Sequence, residues 1–304
     1  MDLIGWRVIT IISIAFGLAT ATLFSVSSLA ASRAVRLISS PAIVAWGMSI
    51  GTVLLVPWLV VEGPPPPFDL AELAWWIAAG AGNIIGLLLA YVAFRYGKLG
   101  LITAILATEG AIAAVIAVSF GETMLPIAAG VLVAIVVGIV LAAFAPDPAP
   151  IANERPLIAV GLGVLAATAF GVSLFSFGHL SDTMPTPWLL LSARAIGVIV
   201  IAIPLLTKYL IRRRKAGKSS NATGNVRKAL PYVITIGCAE VIGFICFTIG
   251  TRESIAVTSV LASMYAPITA VAAYLLFKER LGRWQIAGVA MVITGVIGLS
   301  LVSG

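Results

Sequence analysis

The second half of this chain repeats the first as a series of matching apolar segments. Residues 80–122, moved forward by 157 positions, fall on residues 237–279, and the apolar runs and their breaks stay in step throughout. Identical residues at aligned positions are Gly80 and Gly237, Ile85 and Ile242, Gly86 and Gly243, and Arg95 and Arg252. Two copies of a unit with an odd number of membrane spans must lie in opposite orientations, as in the inverted repeats of secondary transporters. The repeat therefore predicts a membrane protein with a binding site between its halves.

The composition excludes a soluble globular domain. Hydrophobic residues make up 61% of the 304 residues and charged residues 10%, and the mean hydropathy is +1.12. A soluble chain of this length would need far more charge to cover its surface. The net charge of +7 comes from basic residues in short breaks between apolar runs, which argues against a nucleic-acid partner. Cys238 and Cys246 share one apolar run, where they would lie about 12 Å apart, too far for a disulfide.

A helix needs about 20 apolar residues to cross the hydrocarbon core. The apolar runs predict ten spans, near residues 8–30, 41–61, 73–94, 99–118, 124–144, 157–180, 187–208, 230–250, 255–276 and 284–302. We therefore predict an all-α integral membrane protein of ten transmembrane helices, built as two inverted five-helix repeats. These would cover residues 1–145 and 157–304, joined by a Pro-rich link at 146–156. A cleaved signal sequence ending at Ser28-Leu29-Ala30 is the alternative for the first run, which is longer than the usual signal core.

Lysine and arginine are concentrated in the breaks that follow odd-numbered spans. These breaks carry Arg33, Arg36, Arg95, Lys98, Arg155, the cluster from Lys208 to Lys228, Lys278, Arg280 and Arg283. The breaks on the opposite side carry only Arg7 and Arg252. The positive-inside rule then predicts a cell (inner) membrane protein whose solvated loop at 209–229 is cytoplasmic and whose termini both lie outside.

Four polar residues fall within the predicted spans. Glu109 lies near the middle of the fourth span and Glu240 near the middle of the eighth, Asn83 is the repeat partner of Glu240, and Arg194 lies in the seventh span. A charge at the bilayer centre costs roughly 2.5–3.5 kcal/mol, so each needs a partner, a water-filled cavity or a proton. We expect both glutamates to couple proton flow to a solute or to bind it. A buried structural ion pair between Arg194 and Glu240 is the alternative.

Aromatic residues provide weaker candidates for the wall of a solute cavity. Tyr91, Tyr265 and Trp46 could line such a cavity, although each could equally serve in helix packing. The sequence has no metal-ligating cluster of cysteine and histidine, no phosphate-binding loop and no spaced Ser/His/Asp set. We therefore expect neither an enzyme nor a bound cofactor.

Several short motifs resemble the drug/metabolite transporter superfamily in its EamA-type branch. They are the Phe-Gly pairs Phe16-Gly17 and Phe170-Gly171, Arg194, and the segments ending at Phe120-Gly121-Glu122 and Phe277-Lys278-Glu279. The resemblance implies a ten-helix bundle in which eight helices surround a central cavity and the fifth and tenth are peripheral. It also implies a solute such as an amino acid, an amine, another metabolite or a drug.

Two positions depart from the pattern of that family. The fourth span has Glu109-Gly110 where the ninth has Ala266-Pro267, and the second span has Met48 at the position of Arg194 in the seventh. Family members are usually described with cytoplasmic termini, whereas the charge bias here predicts the reverse.

These observations together favour a secondary transporter of a small organic solute such as an amino acid or an amine, and the family resemblance implies that it is an exporter. We expect it to alternate access between its repeats and to use protons, with the solute and the lipid bilayer as its partners. The candidate site residues are Glu240, Glu109, Asn83, Arg194, Tyr91, Tyr265 and Trp46. The alternatives are a lipid flippase, an enzyme with a lipid substrate, and a membrane scaffold.

Overall fold

A computed structural model describes residues 3–67, 70–120, 130, 134, 137–138, 141, 155–181, 183–216, 222–253, 262, 265–277 and 282–303. Its regular structure in these ranges is helical. The helices are α1 (Leu3–Ala34), α2 (Ser40–Glu62), α3 (Leu70–Tyr96), α4 (Leu99–Leu106), α5 (Glu109–Ser119), α6 (Pro156–Leu180), α7 (Thr186–Ile196), α8 (Ile203–Ala216), α9 (Ala222–Glu253), α10 (Tyr265–Phe277) and α11 (Arg283–Ser303). A π-helical turn at Gly197–Ala202 joins α7 to α8 without a break.

Within the described ranges, six helical segments are long and apolar enough to cross a membrane. They are Ala15–Ala34, Ser40–Glu62, Leu70–Tyr96, Pro156–Leu180, Thr186–Ile211 and Asn225–Gly250. They correspond to predicted spans one, two, three, six, seven and eight, so an all-α membrane protein is confirmed. The total of ten spans is not established, because most of predicted span five lies outside the described residues, as does the beginning of span nine.

Proline and glycine set most of the helix boundaries. Proline occupies the first turn of α2, α6 and α7, where its missing N–H group costs no hydrogen bond. α2 ends at Gly63, whose φ of +85° is a conformation that favours glycine. Pro64 and the prolines after it cannot continue the helix.

The long solvated loop predicted at 209–229 is wrong in extent. α8 continues through the basic run to Ala216, and α9 begins at Ala222. Lysine and arginine are good helix formers, so a helix that leaves the membrane can continue through a charged segment. Charge marked the end of the apolar run here, and not the end of the helix.

The two halves pack through the same pairs of helices with the partners exchanged. α3 packs on α6, as α9 packs on α1; α3 packs on α7, as α9 packs on α2; and α5 packs on α6, as α10 packs on α1. This arrangement is that of two similar units facing each other across an approximate two-fold axis. The surface between them is therefore formed by equivalent faces of both halves.

Aligned glycines allow these helices to approach closely. A Cβ atom at Gly80 would lie 2.6 Å from the backbone of Ser192 on α7, and one at its partner Gly237 would lie 2.8 Å from Ile50 on α2. A Cβ atom at Gly86 would lie 2.6 Å from the Phe170 ring. Helices in membranes commonly pack through small residues at such crossings, because the hydrophobic effect does not drive helices together within lipid.

These contacts correct the alignment of the first span with the sixth. The Phe170 ring packs on Gly86, and the ring that packs on the aligned Gly243 is that of Phe24, 2.7 Å from the position of a Cβ atom there. Phe24, and not Phe16, is therefore the counterpart of Phe170, with a separation of 146 positions. The same separation relates Met48 to Arg194, whereas 157 positions relate α3 to α9.

Candidate functional site

A cavity lies between the two halves, and both contribute to its wall. Its lining residues are Phe24, Ser27, Ser28, Asn83, Leu87, Ala90, Tyr91, Phe94, Leu106, Glu109, Phe170, Ser173, Leu174, Glu240, Phe244 and Tyr265. Several of these are equivalent across the repeat: Phe24 and Phe170, Ser27 and Ser173, Asn83 and Glu240, and Leu87 and Phe244. The cavity therefore lies where the two repeats meet, as the sequence predicts for a binding site.

Glu240 is held in the cavity wall by a direct hydrogen bond. It lies on α9, and its Oε1 atom accepts a hydrogen bond from Ser27 Oγ on α1 at 2.8 Å. At the equivalent place in the other half, Ser173 Oγ donates instead to the backbone oxygen of Ala79 at 2.6 Å. The two repeats thus place equivalent serines at the cavity, whereas the carboxyl of Glu240 has no charged counterpart, because the equivalent residue in the other repeat is Asn83.

Glu109 lies in the cavity wall directly after an interruption of its span. α4 ends at Leu106 and α5 begins at Glu109, with a turn at Ala107 and Thr108 in which Thr108 Oγ1 donates to the Ile105 oxygen at 2.7 Å. Glu109 is therefore in the first turn of α5, where the helix dipole favours a negative charge. Discontinuous spans with charged residues at their inner ends are typical of transporter binding sites.

Arg194 lies outside the cavity lining, in the interface between α7 and α2. It is 1% exposed, and its Nη1 atom donates to Met48 Sδ at 3.3 Å. Its Nε and Nη2 atoms have no hydrogen-bond partner in the described part of the chain. Gly51 provides the space, since a Cβ atom there would lie 2.7 Å from Nε. Arg194 and Met48 are repeat partners in contact, so they lie near the axis that relates the halves.

No hydrogen bond in the described ranges supports the alternative of a direct Arg194–Glu240 ion pair. The Glu240 carboxyl is bonded to Ser27, and the guanidinium contacts Met48. The two charges are nevertheless close enough to interact electrostatically. The π-helical turn that follows Arg194 is a feature that occurs often at functional sites.

The remaining candidates separate into two groups. Asn83, Tyr91 and Tyr265 line the cavity and are at most 5% exposed. The Asn83 Oδ1 and Tyr91 hydroxyl oxygen atoms have no hydrogen-bond partner among the described residues. Trp46, by contrast, is 42% exposed on α2 and is not part of the lining. The structure therefore does not bring Trp46 to this cavity.

Sequence reasoning missed the serines and phenylalanines of the wall. Phe24 packs on Phe244 with ring centroids 5.2 Å apart and on Tyr265 at 6.3 Å. Ser27, Ser28 and Ser173 carry no charge and are common in apolar helices, so their type gave no signal. The signal was the separation of 146 between Met48 and Arg194, which would have aligned Phe24 with Phe170 and Ser27 with Ser173.

The chemistry available in the cavity is acidic and rich in hydrogen-bond acceptors. Two carboxyls, three serine hydroxyls, an amide and two phenols are combined with aromatic and aliphatic walls. No cluster of His, Cys, Asp or Glu among residues that the structure describes could hold a metal ion. The arrangement suits reversible binding of a small organic molecule.

Comparison with solved structures identifies the same overall fold. A protein of known crystal structure superposes with a TM-score of 0.62 at 14% sequence identity, and the alignment covers 95% of this chain and 97% of the other. At this identity the similarity establishes the fold alone. No curated protein matches the sequence of this chain.

Comparison with protein families identifies the chain itself. The EamA-like transporter family matches twice, once over residues 11–144 and once over residues 157–301. The two matches together cover most of the chain and correspond to the two halves that pack against each other. This chain belongs to the EamA-like transporter family and is a multi-pass membrane transporter of small solutes.

Proposed function

We propose that this protein is a secondary transporter that moves a small organic solute through the cavity by alternating access. The two five-helix repeats, residues 1–145 and 157–304 with the link at 146–156, would rock against each other in inverted orientation. The observation that carries the proposal is the pair of cavity carboxyls, Glu109 and Glu240, one from each half. A charged residue inside a membrane bundle is costly and marks the path of an ion or a substrate.

The exchanged packing of the helices supports this motion. Equivalent faces meet at the cavity, so a small rotation of one half on the other could open it to one side while closing the opposite side. The hydrogen bonds of Arg95 and of its repeat partner Arg252 support the structural equivalence of the two halves. Arg95 donates to the Val35 and Ile38 oxygens between α1 and α2, and Arg252 donates to Thr186 Oγ1 at the start of α7.

We further propose export driven by protons, in an inner membrane, with the 209–229 segment in the cytoplasm and both termini outside. The excess of Lys and Arg after odd-numbered spans supports the orientation. A carboxyl that exchanges a proton for a solute would couple the two flows, and Glu109 and Glu240 are the groups in the cavity that could do so.

Liposomes that contain only the purified protein test the proposal. With a panel of radiolabelled amines and amino acids, we expect saturable flux at least about tenfold above that of protein-free liposomes, with a rate that responds to a proton gradient. A fluorescent phospholipid in the same liposomes should exchange between leaflets no faster than in the protein-free control. Absence of saturable flux for every solute, or accelerated lipid exchange, would contradict the proposal and favour a flippase.

A further inference from the structure

The cavity wall contains two carboxyl groups and no basic side chain in the part of the chain that the structure describes. Its lining includes Glu109 and Glu240 and has no lysine, arginine or histidine among the described residues. Arg194, the buried cation nearby, lies behind the wall and acts on Glu240. A molecule that enters this cavity therefore meets two carboxyl groups and neutral polar groups, and no cationic side chain from the described ranges.

The two carboxyls differ in what surrounds them. Glu240 has the Ser27 hydrogen bond and the nearby charge of Arg194. Glu109 has neither: the charged group that acts on it among the described residues is Glu240 itself, which repels it when both are ionised. Among the described residues, Glu109 is therefore the cavity carboxyl on which no basic side chain acts.

Two buried polar atoms in the same wall also lack a partner. Asn83 Oδ1 and the Tyr91 hydroxyl oxygen belong to lining residues that are 2% and 3% exposed, and neither has a hydrogen-bond partner in the described part of the protein. Buried polar groups are rarely left without one, so an unpartnered pair beside a cavity suggests a ligand that supplies it. Both atoms can accept an N–H hydrogen bond.

The rest of the wall is suited to an apolar body. Phe24, Phe94, Phe170 and Phe244 line the cavity together with Tyr91 and Tyr265. Aromatic faces attract a cation electrostatically and provide apolar contact area for the body that carries it. The same wall has no cationic side chain among the described residues to pair with an anionic group.

We propose that the cavity binds an organic monocation, an ammonium group carried on a small apolar or aromatic body, with Glu109 as its counter-charge. This inference rests on the proposed transport function and narrows its solute to amines. An amino acid would bring a carboxylate into a wall that holds two carboxyls and no cation, and like charges brought together in a desolvated site are strongly unfavourable. Arg194 cannot serve as the carboxylate anchor from its place behind the wall.

Two sets of matched molecules test directly whether the cavity prefers a cation to a zwitterion, a neutral molecule or an anion. Each set keeps one body and varies the charge: phenethylamine, phenylalanine, 2-phenylethanol and 3-phenylpropionate; and pentylamine, norleucine, 1-pentanol and hexanoate. Binding to the purified protein in detergent is measured by calorimetric titration at neutral pH. We expect each amine to bind at least about tenfold more tightly than its zwitterionic, neutral and anionic relatives, a difference of about 1.4 kcal/mol.

Variants assign the preference to Glu109. Glu109→Gln should lose at least about tenfold in amine affinity, Glu109→Asp should retain most of the preference, and Glu62→Gln, on the exposed end of α2, should bind as the wild type does. Equal or tighter binding of the amino acid or the anion, failure of both amines to bind, or full amine affinity in Glu109→Gln would overturn the inference. Saturable liposome flux of some other solute would then leave the transport function standing.

Discussion

We expect Glu240→Gln to lower solute flux in liposomes by about 100-fold while the protein remains folded. The burial of a charge at the bilayer centre costs roughly 2.5–3.5 kcal/mol. If the interaction of Glu240 with the solute or the proton repays that cost during transport, its loss raises the barrier by a similar free energy. A barrier higher by about 2.7 kcal/mol slows transport by about 100-fold. Glutamine is nearly the same size and can still accept the hydrogen bond from Ser27 Oγ, so the wall should keep its shape.

The control for this variant is Glu62→Gln, which removes the same charge from an exposed position at the end of α2. It should show wild-type flux and unfold at the wild-type temperature, whereas Glu240→Gln, which leaves the buried Arg194 without its balancing charge, should unfold at a lower temperature but remain folded under the conditions of the flux assay. Wild-type flux in Glu240→Gln would show that the carboxyl has no part in transport. A scaffold protein would give that result, since it has no need of a charge at this depth.

Arg194→Met separates stability from transport through a double-mutant cycle with Glu240→Gln. Methionine is the residue that the other half already has at the equivalent position, Met48. Arg194→Met alone leaves Glu240 without its balancing charge, and we expect it to lower the free energy of unfolding by about 1–3 kcal/mol. The double variant removes both buried charges and the unpartnered Nε and Nη2 atoms, and should be at least as stable as the wild type.

Flux should fall by at least about tenfold in Arg194→Met and stay low in the double variant, because restored stability does not restore the charges. Met48→Leu is the matched control, since it conserves volume at the contact with Arg194 and should change stability by less than about 1.5 kcal/mol. The account is contradicted if the double variant is no more stable than Arg194→Met. The two charges would then not compensate each other.

Much of the fold followed from apolar length and from proline. The second span was predicted at 41–61 and the sixth at 157–180, and the helices run Ser40–Glu62 and Pro156–Leu180. At both beginnings, proline coincides with the start of the apolar run. The basic segment after α7 was misjudged because charge marks the membrane surface and does not stop a helix that lysine and arginine favour.

The polar residues of the candidate site could be predicted from the sequence, but the helix break and the aromatic packing around them could not. Glu109, Glu240 and Asn83 were identifiable because a polar group within a span needs a reason to be there. The break before Glu109 was not, since Ala107 and Thr108 have no strong tendency to end a helix. The packing of Phe24 on Gly243 depends on a different repeat separation in the first two helices, which the weak identity of the halves concealed.

Modification of a cysteine in the cavity from each side of the membrane tests the central claim most directly. In a background with Cys238→Ala and Cys246→Ala, Ser28→Cys places a thiol in the cavity wall, Lys215→Cys marks the end of α8, and Val53→Cys marks the apolar exposed face of α2. An impermeant thiol reagent is applied to intact cells and to inverted vesicles.

We predict that Ser28→Cys is modified from both sides, Lys215→Cys only in inverted vesicles, and Val53→Cys in neither preparation. This pattern would mean that one cavity opens in turn to each side of the membrane. It would also place the basic segment at the end of α8 on the cytoplasmic side. Modification of Ser28→Cys from one side only, or from neither, would contradict alternating access through this cavity.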